Sequence, residues 1–249
     1  MSRATPTAAA PFLRSLRTTP ELIERGRFPF TMPVFSKPFE LDFPHPITFF
    51  VGENGTGKST LLEAIAVKAG FNIEGGSRDH YFSTVAQNAP LGPALRLSWF
   101  PKVSRGFFFR AETLFTLATY LDEIGASRDK SLHERSHGEA FFSVFLNRFR
   151  QPGIYLLDEP EAALSPNRQL AFLQFLRERE DDGNAQFIIA THSPLLFAYP
   201  GATVFQFADE IMPVNYSETE HFQVVEAFMK SPERFFRHMF SRDRAADSE

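Results

Sequence analysis

A glycine-rich octet, GENGTGKS at residues 52–59, constrains this chain more than any other stretch of it. The octet fits the pattern G-x-x-x-x-G-K-[ST], in which the glycines let successive backbone N–H groups point inward at phosphate oxygens. An apolar run at 47–51 precedes it and predicts a buried strand. Residues 59–69 follow with helical spacing and a C-capping Gly70. Because strand, loop and helix stand in the order that phosphate binding at a helix N-terminus requires, the octet predicts a nucleotide site.

The positions of this loop have different expected roles. Lys58 is expected to reach the β- and γ-phosphates, and the Ser59 hydroxyl is expected to bind Mg²⁺. The phosphate-contacting stretch is Gly52, Glu53, Asn54, Gly55, Thr56, Gly57, Lys58, Ser59 and Thr60. The predicted ligands are therefore a nucleotide with β- and γ-phosphates and Mg²⁺.

A second motif follows about a hundred residues later in the chain. Four apolar residues at 154–157 lead into Asp158 and Glu159, as in a buried parallel strand that delivers carboxylates to the carboxyl edge of a sheet. Asp158 is the expected Mg²⁺ carboxylate, and Glu159 is the expected general base that faces the attacking water. Two acidic residues at the end of a strand are also common where the strand simply ends in solvent and has no catalytic role. The phosphate loop favours the catalytic interpretation.

The stretch DEPEAALSP at 158–166 resembles the Walker B motif and D-loop of ABC-type ATPases, and residues 191–193 resemble their switch-histidine motif. The resemblance runs from about residue 47 to 194 and points to small soluble ABC-type ATPases labelled AAA, a RecF-like group. It implies that His192 contacts the γ-phosphate, although a lone histidine after a buried strand is also commonly structural. Ser165 stands where that family has the D-loop aspartate.

The resemblance also implies a signature motif that opens a helix between the two Walker motifs. Ser136, with Gly138 and Glu139, is the candidate, and it would bind the γ-phosphate held by the other subunit. His137 replaces the first glycine of the family pattern, and the same residues also fit a helix-capping box. Gln87 is the candidate for the family's glutamine that contacts Mg²⁺ and the attacking water, and it equally fits a surface loop.

An aromatic side chain upstream of the phosphate loop often stacks on adenine in this family. Phe28, Phe30 and Phe35 are the candidates. In a chain with 30 phenylalanines, each of them also fits a core position.

Strands that alternate with helices predict an α/β fold. We expect a P-loop NTPase with an ABC-ATPase-like, mostly parallel sheet, helices on both faces, a small antiparallel edge sheet and a short helical insert. The chain is predicted to form one domain over residues 1–249. Within it, 111–151 is the approximate helical subdomain and 212–249 a helical tail broken into two helices near Ser231.

The N-terminal region gives a weaker local signal. Residues 1–27 are predicted to be a partly disordered lead-in, with a polar segment at 14–27 that fits a helix. Alternating apolar residues and several prolines at 28–43 predict short antiparallel edge strands.

Composition limits the class of protein. With a net charge of −4, the chain has no overall positive potential that would attract nucleic acid. The absence of cysteine excludes disulfides and thiolate metal sites. No apolar run approaches the roughly 20 residues that span a bilayer. The N-terminus lacks an apolar signal core, so a cytoplasmic location and no membrane insertion are expected.

The first functional hypothesis is a soluble ABC-type ATPase in which two subunits sandwich two Mg²⁺–ATP. ATP would close this homodimer, hydrolysis would open it, and an unidentified protein partner would be acted on. DNA is a candidate partner in a short RecF-like form, because the segment between the Walker motifs is too short for long coiled-coil arms. The alternatives are the nucleotide-binding subunit of an ABC transporter, a DNA-repair or chromosome-type ATPase, and a nucleotide-binding switch or defence component in which slow hydrolysis times a signal.

Overall fold

The computed structural model describes residues 9–71, 89–110, 146–147 and 149–241. The strands in these ranges are β1 (Leu13–Thr18), β2 (Glu40–Asp42), β3 (Ile47–Gly52), β4 (Leu95–Trp99), β5 (Gly106–Arg110), β6 (Gly153–Asp158), β7 (Ala185–Ala190), β8 (Thr203–Phe207) and β9 (Ile211–Pro213). The α-helices are α1 (Lys58–Ala69), α2 (Pro166–Asp181), α3 (Pro194–Phe197), α4 (Glu220–Lys230) and α5 (Pro232–Ser241).

The larger sheet has the strand order β5-β6-β7-β3-β8-β9, and only its last pair, β8 and β9, is antiparallel. Strands β3, β6 and β7 are buried along their whole length, which explains their continuous apolar sequences. The pairing register places Arg110 opposite Asp158, Asp158 opposite Ala190, and Ala190 opposite Phe50. The carboxyl ends of four strands therefore meet at one edge, where the phosphate loop begins.

Layers of side chains cover both faces of this sheet. On one face, α1 and the smaller sheet enclose Phe50, Phe108 and Ile188. On the other face, α2 and α3 pack over residues such as Phe49 and Phe187. The strand order, the parallel pairing and the helix on each face confirm the predicted class, a P-loop NTPase with an ABC-ATPase-like sheet.

The smaller sheet is antiparallel, with the order β2-β1-β4, as the sequence predicted. The helical interpretation of 14–27 was wrong, because Leu13–Thr18 forms the middle strand of this sheet. Its position is set by tertiary contacts: the buried Gln186 side chain on β7 accepts hydrogen bonds from the Phe12 and Leu13 N–H groups, both at 2.8 Å. Contacts between segments so far apart in the chain leave no periodic pattern in the local sequence.

The edge strands expected at 28–43 form only at Glu40–Asp42. Pro33–Phe35 is a 3-10 helix instead, and it buries Val34 and Phe35. The physical reason is the pair of prolines at 29 and 33, which cannot donate to a strand ladder.

Helix boundaries follow the sequence closely. Helix α1 ends at Ala69 and is capped by Gly70, which has φ 85° and donates to the Ala66 and Val67 carbonyls. Helix α2 starts after Ser165 with Pro166 in its first turn. The tail breaks at Ser231 between α4 and α5, as predicted. Most of the predicted helical insert at 111–151 lies outside the described residues. Across the ranges given above, none of the helices has the length and apolar character needed to traverse a bilayer.

Candidate nucleotide site

The phosphate loop leaves β3 and enters α1 through two glycines that no other residue could replace without a clash. Gly57 has φ 101°, and a Cβ there would lie 2.8 Å from Cε2 of the fully buried Phe35. Gly52 has φ 145°, and a Cβ there would lie 2.3 Å from the Phe207 backbone oxygen. The loop is therefore seated against β8 on one side and the 3-10 helix at Pro33–Phe35 on the other. The first-turn N–H groups of α1 have no carbonyl one turn back to accept their hydrogen bonds, which makes this end an anion site.

Lys58 is the buried cation of this site. Only 4% of its surface is exposed, and its Nζ donates to the backbone oxygens of Gly52 and Glu53 at 2.8 Å each. Burial lowers the pKa of Lys58, and the charges of Glu159 and Asp158 oppose that shift. An ammonium has three donors. Two are bonded to carbonyls, and the third remains for a ligand oxygen.

Ser59 and Asp158 meet across the sheet edge, although their elements are far apart in sequence. The Ser59 Oγ donates to Asp158 Oδ1 at 2.9 Å. Burial raises the pKa of Asp158, and the Ser59 hydrogen bond and the Arg110 charge act against that rise. A hydroxyl and a carboxylate are hard oxygen ligands, and Mg²⁺ takes few protein ligands because it retains waters and substrate oxygens. The pair therefore fits Mg²⁺. Among the residues that the structure describes, no group of three or more His, Asp or Glu side chains is arranged to hold a metal ion.

Glu159 has an unusual backbone conformation directly after β6. Its φ of 49° and ψ of 53° are left-handed, the only such non-glycine residue in the described ranges. Its N–H donates to the Ala190 oxygen at 2.9 Å, which holds the turn in place. A left-handed residue other than glycine costs on the order of 1–3 kcal/mol and is typical of functional sites. The side chain is 46% exposed and lines the pocket beside Lys58 and Ser59.

His192 lies at the carboxyl end of β7 and faces Glu159. Its backbone N–H donates to Glu161 Oε1 at 2.6 Å, and its ring Nε2 is 3.6 Å from Glu159 Oε1. Burial lowers the pKa of His192, and the nearby Lys58 charge acts in the same direction. Nε2 is buried and makes no hydrogen bond within the described part of the chain. A buried ring nitrogen that makes no hydrogen bond within the described ranges and lies beside Glu159 suits contact with a ligand oxygen better than a structural role.

Two side chains at this edge were missed by the sequence analysis. Arg110, at the end of β5, forms an ion pair with Glu63 of α1, and its Nε is 3.9 Å from Asp158 Oδ2. The sequence contained a pattern that could have revealed Arg110, because an apolar strand ends at Arg110 as another ends at Asp158. His221 on α4 approaches both His192 and Glu53. No sequence pattern predicts this contact of His221, because nothing local in the tail indicates that the tail returns to the phosphate loop.

Of the aromatic candidates for adenine stacking, two are core residues. Phe30 is 6% exposed and Phe35 is fully buried. Phe28 is 56% exposed and lines the same pocket as Asn54 and Lys58. The remaining predicted site residues, Gln87, Ser136, Gly138 and Glu139, lie outside the described residues.

Comparison with known families gives two partial matches. Residues 31–87 match the family model "AAA domain", and residues 140–198 match the model "AAA domain, putative AbiEii toxin, Type IV TA system". The two matched segments contain the phosphate loop and the stretch from Asp158 to His192. The sequence resemblance to small ABC-type ATPases labelled AAA is thereby confirmed.

Two curated relatives have related names. The tungstate uptake system ATP-binding protein TupC of Campylobacter jejuni is 28% identical over 59% of this chain, and the match spans 48% of TupC, about half its length. The manganese transport system ATP-binding protein MntA of Synechocystis is 24% identical over 75% of this chain and 77% of MntA. Both relatives are named as ATP-binding proteins.

Among solved structures, the chain is similar to the SMC head domain from Thermotoga maritima, with 16% identity and a TM-score of 0.48 over 82% of this chain and 99% of that one. It is also similar to cbiO1 from Clostridium perfringens, part of the ABC transporter complex cbiONQ, with 18% identity and a TM-score of 0.46 over 92% of this chain and 99% of that one.

Proposed function

We propose that this chain binds ATP with Mg²⁺ at the loop of residues 52–59 and hydrolyses it. The observation that carries the proposal is the hydrogen bond between Ser59 Oγ and Asp158 Oδ1 at 2.9 Å, beside the buried ammonium of Lys58. Two oxygen ligands for a divalent cation and one cation for a phosphate chain thus share one sheet edge. This combination is what phosphoryl transfer requires, because its catalysis is mostly positioning and charge neutralisation.

Each side chain has a defined task in this proposal. Lys58 and the backbone N–H groups of the loop bind the β- and γ-phosphates. Ser59 and Asp158 would hold Mg²⁺, which when bound neutralises charge on the phosphate oxygens. Glu159 accepts the proton of the attacking water, and His192 donates a hydrogen bond from Nε2 to the γ-phosphate.

Phe28 is the proposed adenine contact. It is exposed at the pocket that Lys58 and Thr60 also line, whereas Phe30 and Phe35 are committed to the core. An aromatic ring at this place can stack on a base, and such stacking is worth about 1–3 kcal/mol. Phe28→Ala should therefore weaken ATP binding by about tenfold or more and leave inorganic triphosphate binding unchanged.

The metal site is tested by the Mg²⁺ dependence of ATP binding. Calorimetry should show that Mg²⁺ strengthens ATP binding to the wild-type chain, and that Ser59→Ala removes most of this gain. Ser98→Ala, which removes an exposed hydroxyl on β4, is the matched control and should behave as the wild type. If Ser59→Ala retains the full Mg²⁺ effect, the assignment of Ser59 and Asp158 to the metal is wrong.

We further propose an ATP-dependent homodimer, in which Ser136, Gly138 and Glu139 of one subunit face the γ-phosphate bound by the other. The support is the resemblance to ABC-type ATPases, which implies this sandwich. In a Glu159→Gln background, where ATP persists, light scattering after size-exclusion chromatography should show a dimer with Mg²⁺–ATP. Ser136→Arg should abolish the dimer, and Glu178→Arg, on the exposed side of α2, should not. A monomer in both Glu159→Gln variants would refute the sandwich.

A second candidate is the ATP-binding subunit of a transporter, which the names of TupC and MntA favour. The first candidate, an ATPase that acts on another protein partner in DNA maintenance or defence, is favoured by the resemblance to RecF-like members. A pull-down with the Glu159→Gln chain distinguishes them: a permease supports the transporter, and a nuclease or a DNA fragment supports the first candidate.

A further inference from the structure

We propose that His221 is a positioning residue, which fixes the proton of neutral His192 on Nε2 and so makes that ring a donor toward the γ-phosphate. The inference rests on the proposed function, because it concerns the same site. It adds a residue from the C-terminal helix α4, far from both Walker motifs in sequence.

Three side chains form a short chain of contacts that ends at His192. His221 Nε2 is 3.5 Å from His192 Nδ1 and 3.4 Å from Glu53 Oε1, and the two imidazole rings lie 5.5 Å apart at their centroids. His221 is largely enclosed, with 23% of its side chain exposed. One nitrogen of His221 thus faces two different groups, a carboxylate and the other imidazole.

The chemistry of these groups decides where the protons lie. A carboxylate only accepts hydrogen bonds, so the contact with Glu53 is favourable only when His221 Nε2 carries a proton. A protonated Nε2 cannot accept a hydrogen bond, so His192 Nδ1 must be the acceptor in the contact between the rings. Because a neutral imidazole has one N–H, the proton of His192 then lies on Nε2.

This tautomer is the one that the proposed function needs. His192 Nε2 is buried, has no hydrogen-bond partner in the described ranges, and lies 3.6 Å from the Glu159 carboxylate. With a proton there, it can donate to a phosphate oxygen that arrives beside Glu159. With the proton on Nδ1, a lone pair would face the phosphate and repel it. His221 therefore acts through His192 and need not touch the substrate.

The fold holds His221 in place by packing at the start of α4. Thr219 is 1% exposed, and its hydroxyl accepts from the Phe222 N–H at 3.4 Å as the N-cap. Phe222 packs edge-on against Tyr216, with ring centroids 5.1 Å apart. These contacts fix the first turn of α4, and with it the position of His221.

The direct test is the tautomer of His192, read from ¹⁵N chemical shifts of histidine-labelled protein at a pH where the ring is neutral. The chain has 7 histidines, and His192→Asn identifies the resonance. We expect the proton on Nε2 in the wild type and a mixture of tautomers in His221→Leu. His221→Gln should restore the single tautomer, because its amide can donate to both groups. A proton on Nδ1 in the wild type, or an unchanged tautomer in His221→Leu, would overturn the inference.

ATP turnover supplies a second readout. Loss of one oriented hydrogen bond should lower kcat of His221→Leu by about tenfold with KM nearly unchanged, and His221→Gln should recover most of it. His45→Leu, at an exposed histidine, is the control for replacing an imidazole and should match the wild type. Equal kcat in His221→Leu and the wild type would contradict a positioning role.

The two readouts separate this inference from the proposed function. If the wild type neither binds nor hydrolyses ATP, the proposed function fails, and the tautomer is still measured on the ligand-free chain. If the wild type hydrolyses ATP and His221→Leu changes neither tautomer nor kcat, the proposed function stands and the role of His221 is refuted.

Discussion

The packing of the phosphate loop against Phe35 can be tested with two glycines that differ only in the space around them. Gly55 and Gly57 both have positive φ, 78° and 101°. A Cβ on Gly55 would meet nothing within 4 Å, whereas a Cβ on Gly57 would lie 2.8 Å from Phe35 Cε2 and 3.1 Å from Val34 Cγ1. Alanine at either position is strained in the left-handed backbone conformation, which costs about 1–2 kcal/mol. Alanine at Gly57 must also displace a fully buried ring.

The difference between Gly57→Ala and Gly55→Ala therefore isolates the clash. Overpacking of this kind costs about 1–3 kcal/mol, and the backbone strain and unfolded-state effects largely cancel between the two variants. For a domain of this size the difference in Tm is roughly 2–12 °C. Calorimetric unfolding without nucleotide measures it, and a fluorescent ATP analogue reports the accompanying loss of binding.

A double variant supplies the control. Phe35→Leu shortens the ring that the new methyl group would meet, so Gly57→Ala should cost less stability in that background than alone. Gly55→Ala should cost the same in both backgrounds. If the two alanine variants lower Tm equally, or if Phe35→Leu does not relieve Gly57→Ala, the loop is not seated on Phe35 as described.

Three further predictions concern the charges of the site and of the whole chain. Lys58→Ala should abolish measurable ATP hydrolysis, because a charge-assisted phosphate contact is worth about 1.5–3 kcal/mol before any transition-state gain; unchanged turnover would remove the central role of this lysine. Burial raises the pKa of Asp158 above its ordinary 3.8, so the folded chain binds a proton at this carboxyl more tightly than the unfolded chain does. The stability that this group contributes is therefore present at acid pH and is lost as the pH rises. Asp158→Asn should therefore unfold at a higher temperature than the wild type at neutral pH without ligand, with a difference that shrinks on acidification; a constant difference would contradict this. Duplex DNA should bind weakly in a gel shift, because the net charge is −4, and tight salt-sensitive binding by the chain alone would favour the RecF-like candidate.

The parts of the fold that the sequence predicts correctly are those with strong local patterns. The phosphate loop has a fixed spacing, flanking periodicity and a capping glycine, and α1 ends within a residue of the prediction. Strands β3 and β6 were visible as apolar runs at 47–51 and 154–157. The meeting of Ser59 and Asp158 follows from the rule that parallel strands present their carboxyl ends at one edge.

The parts that were missed depend on contacts between distant segments. Strand β1 is defined by pairing with β4 and by the buried Gln186 side chain, and its own sequence is polar enough to suggest a helix. The approach of His221 to His192 depends on how the tail folds back, which no spacing in the tail records. Arg110 could have been found from the sequence, since three phenylalanines lead directly into this charged residue.

The most direct test of the account is to measure ATP binding and ATP turnover side by side in Glu159→Gln. The amide keeps the size of the side chain and cannot accept the proton of the attacking water, while Lys58, Ser59 and Asp158 are untouched. The account predicts Mg²⁺-dependent ATP binding at least as tight as in the wild type, with turnover reduced by about 10²–10⁴-fold. Turnover equal to that of the wild type, or loss of binding together with turnover, would contradict the assignment of Glu159 as the general base of an ATP-hydrolysing site.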